Sequence, residues 1–83
     1  MNMVKTNAQE RVRAQVKRLG AIEARMEHAI TLWKPDFASD MVQEYENAYY
    51  NTQTEATRSR FERGRIIHAA ILEYYQDDGR EAI

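Results

Sequence analysis

The residues able to do chemistry in this chain are two histidines, two serines, thirteen carboxylates and twelve cationic side chains, with no cysteine. Set against the spacings that catalysis and metal binding require, they leave little. Glu27-His28 lacks the second histidine four residues on that a zinc-binding helix uses, and His68 has Arg65, not a glutamate, three residues before it, so the carboxylate and histidine set of a metal-binding bundle is absent. Ser39 and Ser59 stand in no nucleophile motif. Arg63-Gly64-Arg65 falls inside a helical pattern with no second glycine at a useful interval, so it does not form a phosphate loop. No catalytic, cofactor-binding or metal-binding residue is expected. Without cysteine there is neither a disulfide framework nor thiol chemistry.

The chemistry that remains is that of guanidinium groups and an aromatic contact. Net charge is −1, yet the charges are segregated in blocks. Residues 1–25 hold six cations (Lys5, Arg11, Arg13, Lys17, Arg18 and Arg25) against Glu10 and Glu23. Residues 26–57 hold Lys34 against six carboxylates. Arg58, Arg60, Arg63 and Arg65 then crowd around Glu62, ahead of an acidic end with Glu73, Asp77, Asp78 and Glu81. A bundle of three alternating helices sets the start of helix 1 beside the start of helix 3, so Arg11, Arg13, Arg58 and Arg60, with Lys5, are expected to share one basic end, and Arg63 and Arg65 join them as candidate partner-binding residues. Like charges gathered at one end are not required for folding, because surface ion pairs contribute under about 1 kcal/mol each. That end is therefore the candidate partner-binding surface, with Tyr50 as a second candidate contact on the uncovered face of helix 2.

Three helices must position these groups. Val12, Val16, Leu19, Ile22, Met26, Ile30 and Trp33 return every three or four residues, the spacing of one apolar stripe, which predicts a continuous helix over about 7–34. Gly20 interrupts it without breaking the phase of the stripe and is expected to mark a close approach of a neighbour. Glu23 at the stripe's edge is expected to turn out to water. Pro35 and Asp36 make the first turn, with Asp36 as N-cap of a helix over about 37–51 whose covered face holds Phe37, Met41, Val42, Tyr45 and Tyr49. Thr52 and Glu55 have the spacing of a capping box, and the apolar face rotates by roughly a quarter turn past it at 100° per residue. Both predict a break before a third helix over about 53–77, stopped at Gly79, with a frayed tail over 80–83. The fold class is all-α: a single domain over 1–83, an up-down-up three-helix bundle, with a helical hairpin carrying a kinked long second helix as the alternative.

Composition excludes several classes. At 43% hydrophobic and 30% charged the chain is globular rather than disordered, and three glycines and one proline are too few turns for a many-stranded sheet. No apolar run approaches membrane-spanning length and no secretion signal opens the chain, so a cytoplasmic protein without membrane contact is expected. The function expected is that of a small non-enzymatic interaction module. It would act as an adaptor or inhibitor, of the kind that phages and mobile elements encode by analogy, binding a protein partner with an acidic surface. The alternative is a nucleic-acid-binding regulator whose arginines meet phosphates. Against it stand the near-zero net charge, the absence of helix-turn-helix spacing and the single aromatic, Phe61, among the arginines. A homodimer is expected, because three helices of unequal length leave part of the helix 1 stripe bare. Helices 1 and 3 running parallel would also bring Glu23 and His68 together as an internal pair.

Overall fold

The computed structural model describes the backbone of residues 2–82 and the side chains of residues 7–76. It is all-helical, with α1 at Asn2–Leu19, α2 at Ala24–Leu32, α3 at Pro35–Thr52 and α4 at Glu55–Ala82. Among the described residues there are four helices rather than three, because the long first helix is cut in two at Gly20. Gly20 takes φ +157°, its N–H bonds to the Lys17 carbonyl at 3.1 Å, and Glu23 stands extended (φ −88°, ψ 163°) as the N-cap of α2.

The physical reason is the burial of the stripe. Folded at Gly20, α1 and α2 lie antiparallel and cover one another. The Gln9 side-chain amide donates to the Ile30 carbonyl at 2.8 Å, and Arg13 meets Glu27 at 3.0 Å. Ala8, Val12 and Val16 from α1 join Met26, Ala29, Ile30 and Trp33 in a cluster with Ala38, Met41, Tyr45, Ile67 and Ile71. Most of the stripe expected to drive self-association is thus covered within one chain; Leu19 stays open, 45% exposed.

Each successive pair of helices is antiparallel. Arg25 of α2 meets Glu44 of α3 at 2.9 Å, and Tyr49 of α3 stacks on Phe61 of α4 with ring centroids 6.1 Å apart. Gly64 lets α3 come close: a Cβ there would lie 2.8 Å from the Tyr45 ring. α4 runs back along α1, with Ser59 near the end of α1 at the Leu19 carbonyl, and runs parallel to α2. The order is up-down-up-down, with α4 packed on the other three.

The helix ends follow backbone chemistry that differs in detail from expectation. Pro35 is the first residue of α3 and Lys34 its N-cap, in place of Asp36, because proline's fixed φ suits the first helical position and holds the preceding residue extended. The capping box lies two residues later than Thr52/Glu55. The Thr57 N–H donates to Thr54 Oγ1 and the Thr54 N–H to Thr57 Oγ1, both at 3.1 Å, while Thr52 bonds back to the Ala48 carbonyl. A break between helices 2 and 3 was expected and is present, made by Gln53 in the left-handed region at φ 50°. α4 runs through Gly79 to Ala82, so the expected stop and most of the tail are helical; a mid-helix glycine costs only about 1 kcal/mol. Ile83 lies outside the described residues.

Candidate functional site

Four of the six singled-out arginines turn to acceptors within the molecule. Arg63 is 6% exposed; its Nη1 donates to the Ala21 carbonyl and its Nη2 lies 3.7 Å from Glu23. Arg60 donates through Nε to the same Glu23 carboxylate, and the Tyr45 hydroxyl donates to its other oxygen at 3.4 Å. Glu23 is therefore the hub of a half-buried polar cluster that ties the α1–α2 connection to α3 and α4, in place of a carboxylate turned to water. Arg58 lies between Glu55 and Glu62 on its own helix, and Arg13 is bonded to Glu27.

The basic end does not assemble. The end of α1, not its start, lies beside the start of α4, and Arg11 is eight residues from Leu19, about 12 Å along the axis. The Glu23–His68 pair is absent for the same reason. Glu23 faces Arg60 at the start of α4, whereas His68 lies two turns further along, toward α3. Arg11 and Arg65 are exposed and make no ion pair among the described residues; the Arg65 guanidinium lies over the Phe61 ring, 5.6 Å from its centroid.

The polar cluster alters the titration of its members. Burial first, and the Glu23 charge second, raise the Tyr45 hydroxyl above its ordinary value of 10.0. The bond to Glu23 raises Arg60. As pH rises past the ordinary tyrosine value, Tyr45 in the unfolded chain ionises before Tyr45 in the folded chain. The stability from this group is therefore complete below about pH 10 and is lost as pH climbs through the folded value. Tyr45→Phe should remove this component of the alkaline loss, read from urea midpoints between about pH 8 and pH 11.

The internal pairing leaves open the outward face of α4, with a groove on each side. The wider groove, about 510 Å³, runs between α3 and α4 and includes Val42, Tyr50, Phe61, His68 and Leu72; the narrower, about 410 Å³, includes Leu19, Glu62 and Ile66. Arg65 and Ala69 form the ridge between them, lining both. Tyr50 is 61% exposed, and Leu72 and Leu19 are 42% and 45% exposed. Of the candidates read from sequence, the structure brings Tyr50 and Arg65 to one groove. Leu72 and Ala69 are not among those candidates: they share a face with Glu62, Arg65 and Gln76 at three- and four-residue steps, and a face of such mixed polarity gives no apolar periodicity to read.

Among the described residues no three His, Asp or Glu side chains are placed to hold a metal ion, and no helix is long and apolar enough to cross a membrane. No family model, no curated protein and no solved structure matches the chain.

Proposed function

We propose that this protein is a small, non-enzymatic, cytoplasmic interaction module that binds a protein partner in the groove between α3 and α4. The observation that carries this function is Tyr50, 61% exposed at the wall of a groove that also holds Val42, Phe61 and Leu72. An aromatic ring held open beside apolar walls is the composition of an interface anchor, where tyrosine gives large contact area at small entropic cost. Arg65 and His68 face the same groove against Glu46, so a partner offering an apolar segment bordered by carboxylates is the best complement. A phosphate-binding function has less support, since Arg13, Arg58, Arg60 and Arg63 already hold acceptors within the chain.

The test compares affinity capture from host cells by the intact chain and by Tyr50→Ala. The substitution is at an exposed position and should move the unfolding midpoint by no more than about 0.5 kcal/mol, while loss of an anchor ring should weaken a specific partner by about 2 kcal/mol or more. Equal capture by both proteins would remove the groove as the working surface. Titration with duplex and single-stranded DNA at low and high salt separates the alternative, because phosphate binding falls steeply with salt.

A further inference from the structure

The ridge of α4 carries charges that its own helix does not satisfy. Glu62, Arg65, Ala69, Leu72, Glu73 and Gln76 are all exposed. On a helix, an arginine and a carboxylate meet best four residues apart. For Arg65 the position four residues on is Ala69, and for Glu73 the position four residues back is again Ala69. Glu62, three residues before Arg65, is already bonded to Arg58. Arg65 and Glu73 make no ion pair among the described residues; exposed cations of α1 (Arg11, Lys17, Arg18) make none either, but on α4 the two unpaired charges are opposite in sign and symmetric about Ala69. The apolar neighbours repeat the same local symmetry, with Ile66 three residues before Ala69 and Leu72 three residues after it.

We infer that this ridge is a two-fold self-association surface, on which a second copy lays its α4 antiparallel across the first with Ala69 at the axis. In such an interface any contact of residue i with residue j is made twice. Centring antiparallel helices on residue 69 sets Arg65 level with Glu73 of the second copy and Ile66 level with its Leu72, so both unpaired charges gain opposite partners at once. Ala69 is small enough for the helix axes to approach at the short end of the usual 8–10 Å range. Charge complementarity of the face with itself is what selects a second copy over other occupants. The dimer shares Arg65, Ala69 and Leu72 with the wider groove of the interaction function above, so it rests on that reading only for the part of the groove it leaves free. Phe61, at the Tyr50 end of the wider groove, is eight residues from Ala69, about 12 Å along α4. The dimer therefore leaves that end open and presents two such grooves to a partner.

Sedimentation equilibrium of the full chain, with the variants Arg65→Glu, Glu73→Arg and the double exchange, tests it. The intact chain should dimerise. Each single reversal puts like charges level with each other and should weaken dimerisation by about tenfold or more, and the double exchange should restore it to within about threefold. Unchanged helicity in all three variants is the control, since both positions are exposed. A second readout uses the absence of native cysteine: Ala69→Cys should give a disulfide-linked dimer under mild oxidation, and Ala14→Cys, exposed on α1, should not. An intact chain that stays monomeric at millimolar concentration overturns the inference. So does a double exchange that fails to restore association, or cross-linking that does not distinguish Ala69→Cys from Ala14→Cys. A monomer that still captures a partner through Tyr50 removes the dimer and leaves the interaction function standing, whereas a dimer indifferent to Tyr50→Ala in capture does the reverse.

Discussion

Arg63→Ala should lose about 2–3 kcal/mol of folding stability, from the charged hydrogen bond to the Ala21 carbonyl and the packing of the arginine stem. A domain of this size has about 4–12 kcal/mol in all, at 0.05–0.15 kcal/mol per residue, so this one side chain accounts for a large share of the total. Arg63 is the one charged side chain among the described residues to be buried, and it reaches the Ala21 carbonyl across Gly20. That path exists because Gly20 has no side chain: a Cβ there would lie 2.6 Å from Arg63 Nη1. Truncation leaves the Ala21 carbonyl without its donor, leaves Glu23 with one guanidinium in place of two, and opens a void where the arginine stem packed. Urea denaturation followed by circular dichroism checks the size of the loss, and Arg63→Met, which keeps the stem and removes the charge, separates packing from pairing. A midpoint within about 0.5 kcal/mol of the parent, the usual surface range, would mean that Arg60 alone holds Glu23 and that Arg63 is expendable.

The same residues show what the sequence could and could not disclose. Of the seven residues of the apolar stripe, Val12, Val16, Met26, Ile30 and Trp33 are buried, Ile22 is half-buried, and Leu19, beside the break at Gly20, is exposed. Periodicity reports which residues share a face; it is silent on whether the axis continues. The stripe keeps its phase across Gly20, so a single helix and a folded pair give the same pattern, and only the competition for apolar cover decides between them. Tyr45 and Tyr50 were separated correctly into a covered and an open ring for the same reason. The arginines failed on direction. Arg60 and Arg63 share the three- and four-residue spacing of Ile67, Ile71 and Tyr74, which places them on the inward face of α4. Guanidinium groups in a buried stripe call for an internal acceptor, and Glu23, an acid at the edge of the other stripe, was the signal for it. Charge clustering along the chain does not distinguish inward from outward groups, and four of the six clustered arginines hold acceptors within the chain.

Trp33→Ala should cost at least as much as the loss of Arg63, about 3–5 kcal/mol on the scale of large aromatic truncations. Trp33 is fully buried, stands edge-on to the Tyr74 ring with centroids 6.1 Å apart, and accepts a bond at its carbonyl from the Tyr75 hydroxyl at 2.9 Å. It is also the residue that ends α2, in the left-handed region at φ 54° with its N–H bonded to the Ala29 carbonyl. A bulky residue is disfavoured there by about 1–2 kcal/mol, yet burying 150–250 Å² of ring at about 25 cal/mol per Å² returns roughly 4–6 kcal/mol. The packing term wins, and it fixes the tight turn into α3 that sets Lys34 extended and Pro35 at the start of the next helix. Alanine in the same conformation keeps the backbone strain and loses the ring, so the turn between α2 and α3 should loosen together with the core. Trp33→Phe retains most of the buried area and should cost about 1–2 kcal/mol, below the cost of full truncation. Because this is the only tryptophan in the chain, its replacement removes the fluorescence probe, and the comparison has to be made by circular dichroism. A loss for Trp33→Ala no larger than for Trp33→Phe would show that the ring is not what holds α2, α3 and α4 together, and that the turn is set by Pro35 alone.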